Sequence, residues 1–346
     1  MNSFDRVLDA LKFKEVDRVP VIPQLTYASA LWINRTIREC INDPEKQYKA
    51  LVFAYKECGY DAIYAGWEGS FNLLANGMGA ELKYQDENPP SVQEIPVSNL
   101  EKLDEFTNKN IKGGDINFVN FKGIDTNLKL IKKLKDNLND VPIMSYVPGP
   151  FTYVGVINGL TNLMISIIRR PELIKNAMEL IYDFVLRFSI LKVEAGADFI
   201  TIADPSSSSS IISPKNFQEL GYPFLKRMIS DLRAENKNLK VGIHICGNTK
   251  PIQNLIESLN PDYFEVDSLV PLDESRKIMG KTCLIGNIPP SDLNQKTKSE
   301  IRKLSDQCLN ILDDNGFILS SGCEIVYGTP IENIKEMVIS SLNHKI

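Results

Sequence analysis

Short apolar runs alternate along this chain with longer stretches in which apolar residues recur at helical spacing. Eight runs stand out, at 19–22, 62–65, 143–147, 199–203, 241–245, 263–266, 283–286 and 317–320. Strands that alternate with helices pair in parallel, and eight such units predict a (β/α)8 TIM barrel. Proline and glycine punctuate the helices between them. Pro171 opens a helix over 172–194, at a first-turn position where its missing N–H costs nothing, and Gly196 closes it. Pro214, Pro251 and Pro330 mark the starts of later helices.

The later units are regular, but the stretch 66–140 is too long for one loop and one helix. It predicts a helical or mixed insertion in the N-terminal third of a single domain spanning 1–346. Solenoid repeats are absent. The low-complexity tract, five serines at 206–210, is expected to be a solvated loop.

Composition narrows the class of partner. The 346 residues are 43% hydrophobic and 24% charged, enough for a sizeable core, and the net charge is −5. An acidic chain is poorly suited to the phosphates of nucleic acid. No stretch approaches the roughly 20 apolar residues of a membrane span, and the polar start at 1–5 has no signal-peptide core. A cytoplasmic enzyme is expected, in a reducing compartment where its six cysteines stay free thiols.

A barrel of this kind carries its site at the C-terminal ends of the strands, and polar residues fall there. Asp204 follows the fourth predicted strand, His244 and Cys246 end the fifth, Asp267 the sixth, Asn287 the seventh, and Cys323 follows the eighth. Residues two apart on an extended segment point the same way, so His244 and Cys246 can grip one ion from a single strand end. The chain has only two histidines, the other being the near-terminal His344. Buried cysteine commonly serves as a small hydrophobe, which suits Cys40, Cys58, Cys283 and Cys308. His244, Cys246 and Cys323 instead suggest three zinc ligands with no obvious fourth, the pattern of a catalytic metal that keeps one position open. Two thiolates leave little net charge on the ion, which favours delivery of a nucleophile over polarisation of a carbonyl.

Asp267 or Glu265 could supply a fourth ligand or orient His244. Asp267 lies nearer the strand end and is the catalytic candidate, although aspartate there also suits a helix cap. Asp204, Asn287 and Glu68, the last beyond the second strand, are candidate substrate-binding residues.

Several segments together resemble the uroporphyrinogen decarboxylase superfamily. They are Val7-Leu8-Asp9-Ala10-Leu11, Val16-Asp17-Arg18-Val19-Pro20-Val21, and Ala203-Asp204-Pro205 with Ile212-Ser213-Pro214. His244-Ile245-Cys246-Gly247, Gly286-Asn287-Ile288, Ser321-Gly322-Cys323-Glu324-Ile325 and Thr329-Pro330-Ile331-Glu332-Asn333-Ile334 are similar to its zinc methyltransferase branch. The resemblance runs nearly end to end. It implies Zn2+ as cofactor, a methylcobamide carried by a corrinoid protein as methyl donor, and coenzyme M or tetrahydrofolate as the small-molecule acceptor. True decarboxylases of the superfamily carry arginines just after the first strand, where this chain reads Ile22-Pro23-Gln24-Leu25-Thr26-Tyr27. A polyanionic tetrapyrrole would find no cation there.

Overall fold

The computed structural model describes residues 1–66, 71–103, 122–312 and 315–344. Among them, seven strands form one parallel sheet: β1 (Ile63–Tyr64), β4 (Ile143–Pro148), β5 (Phe199–Ala203), β6 (Lys240–His244), β7 (Tyr263–Glu265), β8 (Cys283–Ile288) and β9 (Phe317–Ser321), hydrogen-bonded in that order. β5 and β9 are buried at every position, as expected for strands covered on both faces.

The eighth stave is the predicted run at 19–22, which does not form a regular strand. Val21 makes a lone parallel bridge to Leu319. The Ile22 amide donates to the Leu319 carbonyl and the Leu319 amide to the Pro20 carbonyl, both at 2.9 Å, while the Asp61 amide donates to the Val21 carbonyl at 2.7 Å. This segment therefore ties β9 to the entry of β1 and closes the barrel. Pro20 and Pro23 flank the bridge and have no N–H to donate, which keeps the ladder short.

A buried charge cluster fixes that closure. Asp61, fully buried, accepts from Arg6 and Arg18 at 2.7 Å each and from the Val21 amide at 2.8 Å. Arg6 also pairs with Asp17 at 2.6 Å, so the opening Val16-Asp17-Arg18-Val19-Pro20-Val21 segment supplies two of the charges. The bond from Arg6 outweighs partial burial and holds the Asp17 carboxyl below the usual carboxylate range.

Two cores share the sheet. Inside the barrel, Val7 and Ala10 of the Ser3–Leu11 helix pack on Met144, Phe199, Tyr263 and Ile318, so this helix plugs the N-terminal end. Outside, the strands' other faces meet the surrounding helices in a continuous apolar layer. The helix at Pro171–Glu194 matches its expectation, with Gly196 at φ +113 beyond its end. Gly242 in β6 lies against the Tyr263 ring, where an added Cβ would sit 2.0 Å from a ring carbon.

The insertion is mixed, as anticipated. It contains a helix at Phe71–Gly77, an antiparallel hairpin of β2 (Glu81–Lys83) and β3 (Ser91–Glu94), and a helix at Lys122–Asn137. Among the described residues no single helix is long and apolar enough to cross a membrane. The serine tract corrects its expectation: Ser206, Ser207 and Ser208 are buried rather than solvated.

Candidate active site

β6 ends at His244, and Cys246 follows two residues on, so both side chains reach the C-terminal mouth of the barrel. Gly247 then turns the chain at φ +82. A Cβ there would meet Ser210 Oγ at 2.7 Å and Ser208 Oγ at 2.9 Å. Gly322, between β9 and Cys323, passes so close to the neighbouring loop that a Cβ would lie 2.5 Å from the Ser268 amide nitrogen. The glycines in both motifs are thus required by close approach, which lets Cys323 come across the mouth to His244 and Cys246.

His244 Nε2 lies 2.9 Å from Cys246 Sγ and 3.8 Å from Cys323 Sγ, and the two sulfurs are 3.4 Å apart. Around a tetrahedral zinc, with Zn–S near 2.3 Å and Zn–N near 2.0–2.1 Å, these edges would measure roughly 3.5–3.8 Å. The Cys323–His244 edge at 3.8 Å is of that size, while the Cys246–Cys323 edge at 3.4 Å and the His244–Cys246 edge at 2.9 Å are shorter. Among the described residues this triangle is the one cluster of His, Cys, Asp and Glu donors with such spacing.

Its electrostatics call for a cation at the centre. The bond from Cys246 pushes the Cys323 thiol down to about 4, with His244 adding to the effect and burial opposing it. The same bond, reinforced by burial, raises Cys246. Burial alone would keep His244 neutral, yet the two sulfurs and Glu265 more than offset it and raise the imidazole well above its usual value. One imidazole nitrogen and two thiol sulfurs, mostly buried and aimed at one point, are donors that a divalent ion could hold. The donor set fits zinc.

The other ring nitrogen faces Glu265. β6 and β7 are in register with His244 beside Glu265, and Nδ1 lies 2.9 Å from Glu265 Oε2. The N–H direction falls off the oxygen, so this is an ionic contact rather than an aligned hydrogen bond. Glu265 is fully buried and held by donors: Tyr64 to Oε1 and Tyr146 to Oε2 at 3.0 Å, with Thr201 Oγ1 3.4 Å from Oε1. Burial and the Glu265 charge raise both tyrosines, keeping their hydroxyls protonated as donors. Their rings stack at 4.7 Å.

The triad opens on a cavity of about 140 Å3. Phe71, Ala203 and Pro205 form its apolar wall, and Gln24, Tyr146 and Glu324 supply polar edges. Glu324 takes a hydrogen bond from the Thr26 hydroxyl. Burial, followed by the neighbouring Cys323 charge, pushes its carboxyl up to about 8. A wider cleft of about 400 Å3 lies beside Phe4, Asp198 and Lys240 at the opposite end of the strands.

Other sequence candidates are engaged elsewhere. Asp267 accepts from the Gly247 amide at 2.7 Å and the Leu269 amide at 2.8 Å, so both oxygens brace turns and Glu265, not Asp267, contacts His244. Asp204 is fully buried and takes the Thr152 amide at 2.8 Å and the Ser207 hydroxyl at 2.6 Å. It holds the start of the Pro150–Asn158 helix, which contains Tyr153, against the serine segment. Asn287 donates to the carbonyls of Asp267 at 3.2 Å and Val270 at 2.8 Å, again bracing a loop. Glu68 lies outside the described residues. Gln24, Tyr64, Tyr146 and Glu324 had no assigned role from the sequence. Their signal was weak, because only the folded barrel aims residues from four separate segments at one point.

The model of the family described as uroporphyrinogen decarboxylase (URO-D) matches residues 2–341. The methylcobamide:CoM methyltransferase MtbA of Methanosarcina mazei is 26% identical, the match covering 99% of this chain and 98% of that protein. The methylcobamide:CoM methyltransferase MtaA of Methanosarcina barkeri is 27% identical over 96% of this chain and 95% of its own. Among solved structures, a methyltransferase from Methanosarcina mazei superposes with a TM-score of 0.85 at 24% identity, covering 99% of this chain and 98% of that one. That likeness speaks to the fold.

Proposed function

We propose that this chain, which belongs to the uroporphyrinogen decarboxylase family, is a zinc-dependent methyltransferase that moves a methyl group from a methylated corrinoid on a partner protein to a thiol acceptor. Coenzyme M belongs to that acceptor class. The observation that carries the reading is the triangle of His244, Cys246 and Cys323 opening on a cavity of about 140 Å3. The names of the full-length relatives support it. The chain works as one cytoplasmic domain.

His244, Cys246 and Cys323 would hold the metal, which when bound supplies the acidity that keeps an acceptor sulfur deprotonated and nucleophilic at neutral pH. The protein's own groups prepare the rest. Glu265, locked by Tyr64 and Tyr146, orients the His244 ring so that Nε2 faces the sulfurs. Asp267 holds the Gly247 amide and so positions Cys246. Phe71, Ala203 and Pro205 exclude water from the reacting sulfur. The acceptor sulfur takes the methyl group as the donor's carbon–cobalt bond breaks, with the electron pair staying on the corrinoid.

A porphyrinogen decarboxylase would need cations for its substrate's carboxylates, whereas no lysine or arginine is among the described residues that line the cavity. The test is metal analysis paired with demethylation of methylcobalamin in the presence of a thiol. About one zinc per chain is expected, with both zinc and turnover lost in Cys246→Ala and Cys323→Ala. A metal-free protein that consumes uroporphyrinogen would refute the proposal.

A further inference from the structure

Lys192 is the one lysine among the described residues that is fully buried, and no step of the proposed reaction uses it. It projects from the outer helix at Pro171–Glu194 onto the back of β4. Burying an ammonium is costly unless protein groups replace its water, and here they include the Tyr146 carbonyl at 2.6 Å and Ser145 Oγ at 3.2 Å. The Phe188 ring lies below, its centroid 4.4 Å from Nζ. An apolar side chain of the same length would fill this space without the desolvation. The charge therefore calls for a reason.

That reason lies where β1 stops. β1 pairs with β4 at Ile63↔Ile143 and Tyr64↔Met144, and just beyond, the Met144 carbonyl accepts the Ala65 amide at 2.7 Å. Alternate residues of a parallel strand bond to the same neighbour, so the Tyr146 carbonyl faces the β1 side too. There it takes the Lys192 ammonium. The Ala65 carbonyl takes the Ser145 hydroxyl at 2.7 Å, and the oxygen of that hydroxyl accepts from Lys192 in turn. One ammonium thus carries the junction of the two strands past its backbone rungs.

On the inner face the same strands present Tyr64 and Tyr146, whose rings stack with centroids 4.7 Å apart. Both hydroxyls donate to Glu265, which stands 2.9 Å behind His244. A slip of β4 against β1 would move one donor relative to the other and loosen the carboxylate between them.

We propose, resting on the zinc reading above, that Lys192 is a positioning residue for the metal. From outside the barrel wall it sets the offset of β1 and β4, and through the tyrosine pair and Glu265 it sets the His244 ring. Its effect reaches the ion although it touches neither the ion nor a ligand.

The experiment measures zinc affinity by competition against a chromophoric chelator, which needs no turnover. Lys192→Met keeps the length of the side chain and removes the charge, and its zinc affinity should be about tenfold below wild type. Ser145→Ala, which removes only the hydroxyl that joins Lys192 to Ala65, should lower it in the same direction by about threefold. Leu51→Ala is the comparison for mere loss of stability: it opens a cavity in the outer helix at Pro44–Cys58, so the melting temperature should fall while zinc affinity stays at the wild-type value. In a Glu265→Gln background, Lys192→Met should change affinity by less than about twofold, because the group it acts through is already gone. The proposal is overturned if Lys192→Met and Ser145→Ala bind zinc as wild type does, or if Lys192→Met has its full effect with Glu265 already replaced. Should Lys192→Met fail to fold, Ser145→Ala decides alone. A wild-type protein that binds no zinc would remove the metal reading, and this inference with it.

Discussion

Glu265 Oε2 lies 2.9 Å from His244 Nδ1, on the nitrogen opposite the one that faces Cys246 and Cys323. A fully buried carboxylate thus stands behind the imidazole, whose other nitrogen is offered to the two sulfurs.

Replacing it tests what it contributes. Glu265→Gln keeps the shape and an oxygen but removes the charge that raises the basicity of the ring, and zinc affinity should fall about 10–100-fold. Competition against a chromophoric chelator measures this, with the melting temperature of the metal-free protein as the control for folding. Unchanged affinity would mean that Glu265 serves only the tyrosine pair.

Gly322→Ala addresses the approach of the third donor. The new Cβ would sit 2.5 Å from a backbone nitrogen that cannot move away as a side chain could. The turn must shift, at a cost of about 1–3 kcal/mol, and Cys323 moves with it. Zinc should be retained far more weakly although all three ligands remain, and wild-type affinity in this variant would contradict the steric argument.

At the far end of the barrel, Asp61→Ala strands Arg6 and Arg18 without their shared partner and frees the Val21 amide. Removing one member of a buried ion cluster costs about 3–5 kcal/mol. Chemical denaturation should register that loss, and a change below about 1 kcal/mol, the range of exposed pairs, would show the cluster to be solvated.

Asp17 predicts a pH signature. Its carboxyl is held below the ordinary value, first by the bond from Arg6, so the folded state binds its proton less readily than the unfolded chain. The stability it contributes is present above the unfolded value near 3.8 and is lost as pH falls through the lower folded value. Asp17→Asn should therefore be less stable than wild type at neutral pH, with the gap closing below pH ~4. A gap that stays constant down to acid unfolding would rule this out.

The sequence made the strand ends and the three donors legible for a definite reason. Apolar runs have a period and a length, and a chain with two histidines that places one beside a cysteine at i+2 leaves few other readings. What it hid was direction. Asp204, Asp267 and Asn287 stand where a barrel's site residues stand, yet their polar atoms are taken by nearby amides, hydroxyls and carbonyls. Nothing in a one-dimensional string separates an aspartate that braces a turn from one aimed at a ligand. Glu265 was visible as an alternative to Asp267, and register decided between them: β7 ends at Glu265, so the in-plane neighbour of His244 is Glu265, while Asp267 lies beyond the ladder. The first stave was read as a strand because its residues are apolar, but its two prolines reduce it to a single bridge.

That single bridge also bears on how the third donor is held in place. Cys323 lies just past β9, and β9 is pinned by the Pro20–Val21–Ile22 stretch from the opposite terminus. His244 and Cys246 precede their third companion by 77 or more residues, and that companion follows a strand held on one side by β8 and on the other by the stretch near the opposite end of the polypeptide. If the proposed ion is bound, its retention would report completed circularisation, and a product lacking the last stave would keep His244 and Cys246 without their third companion.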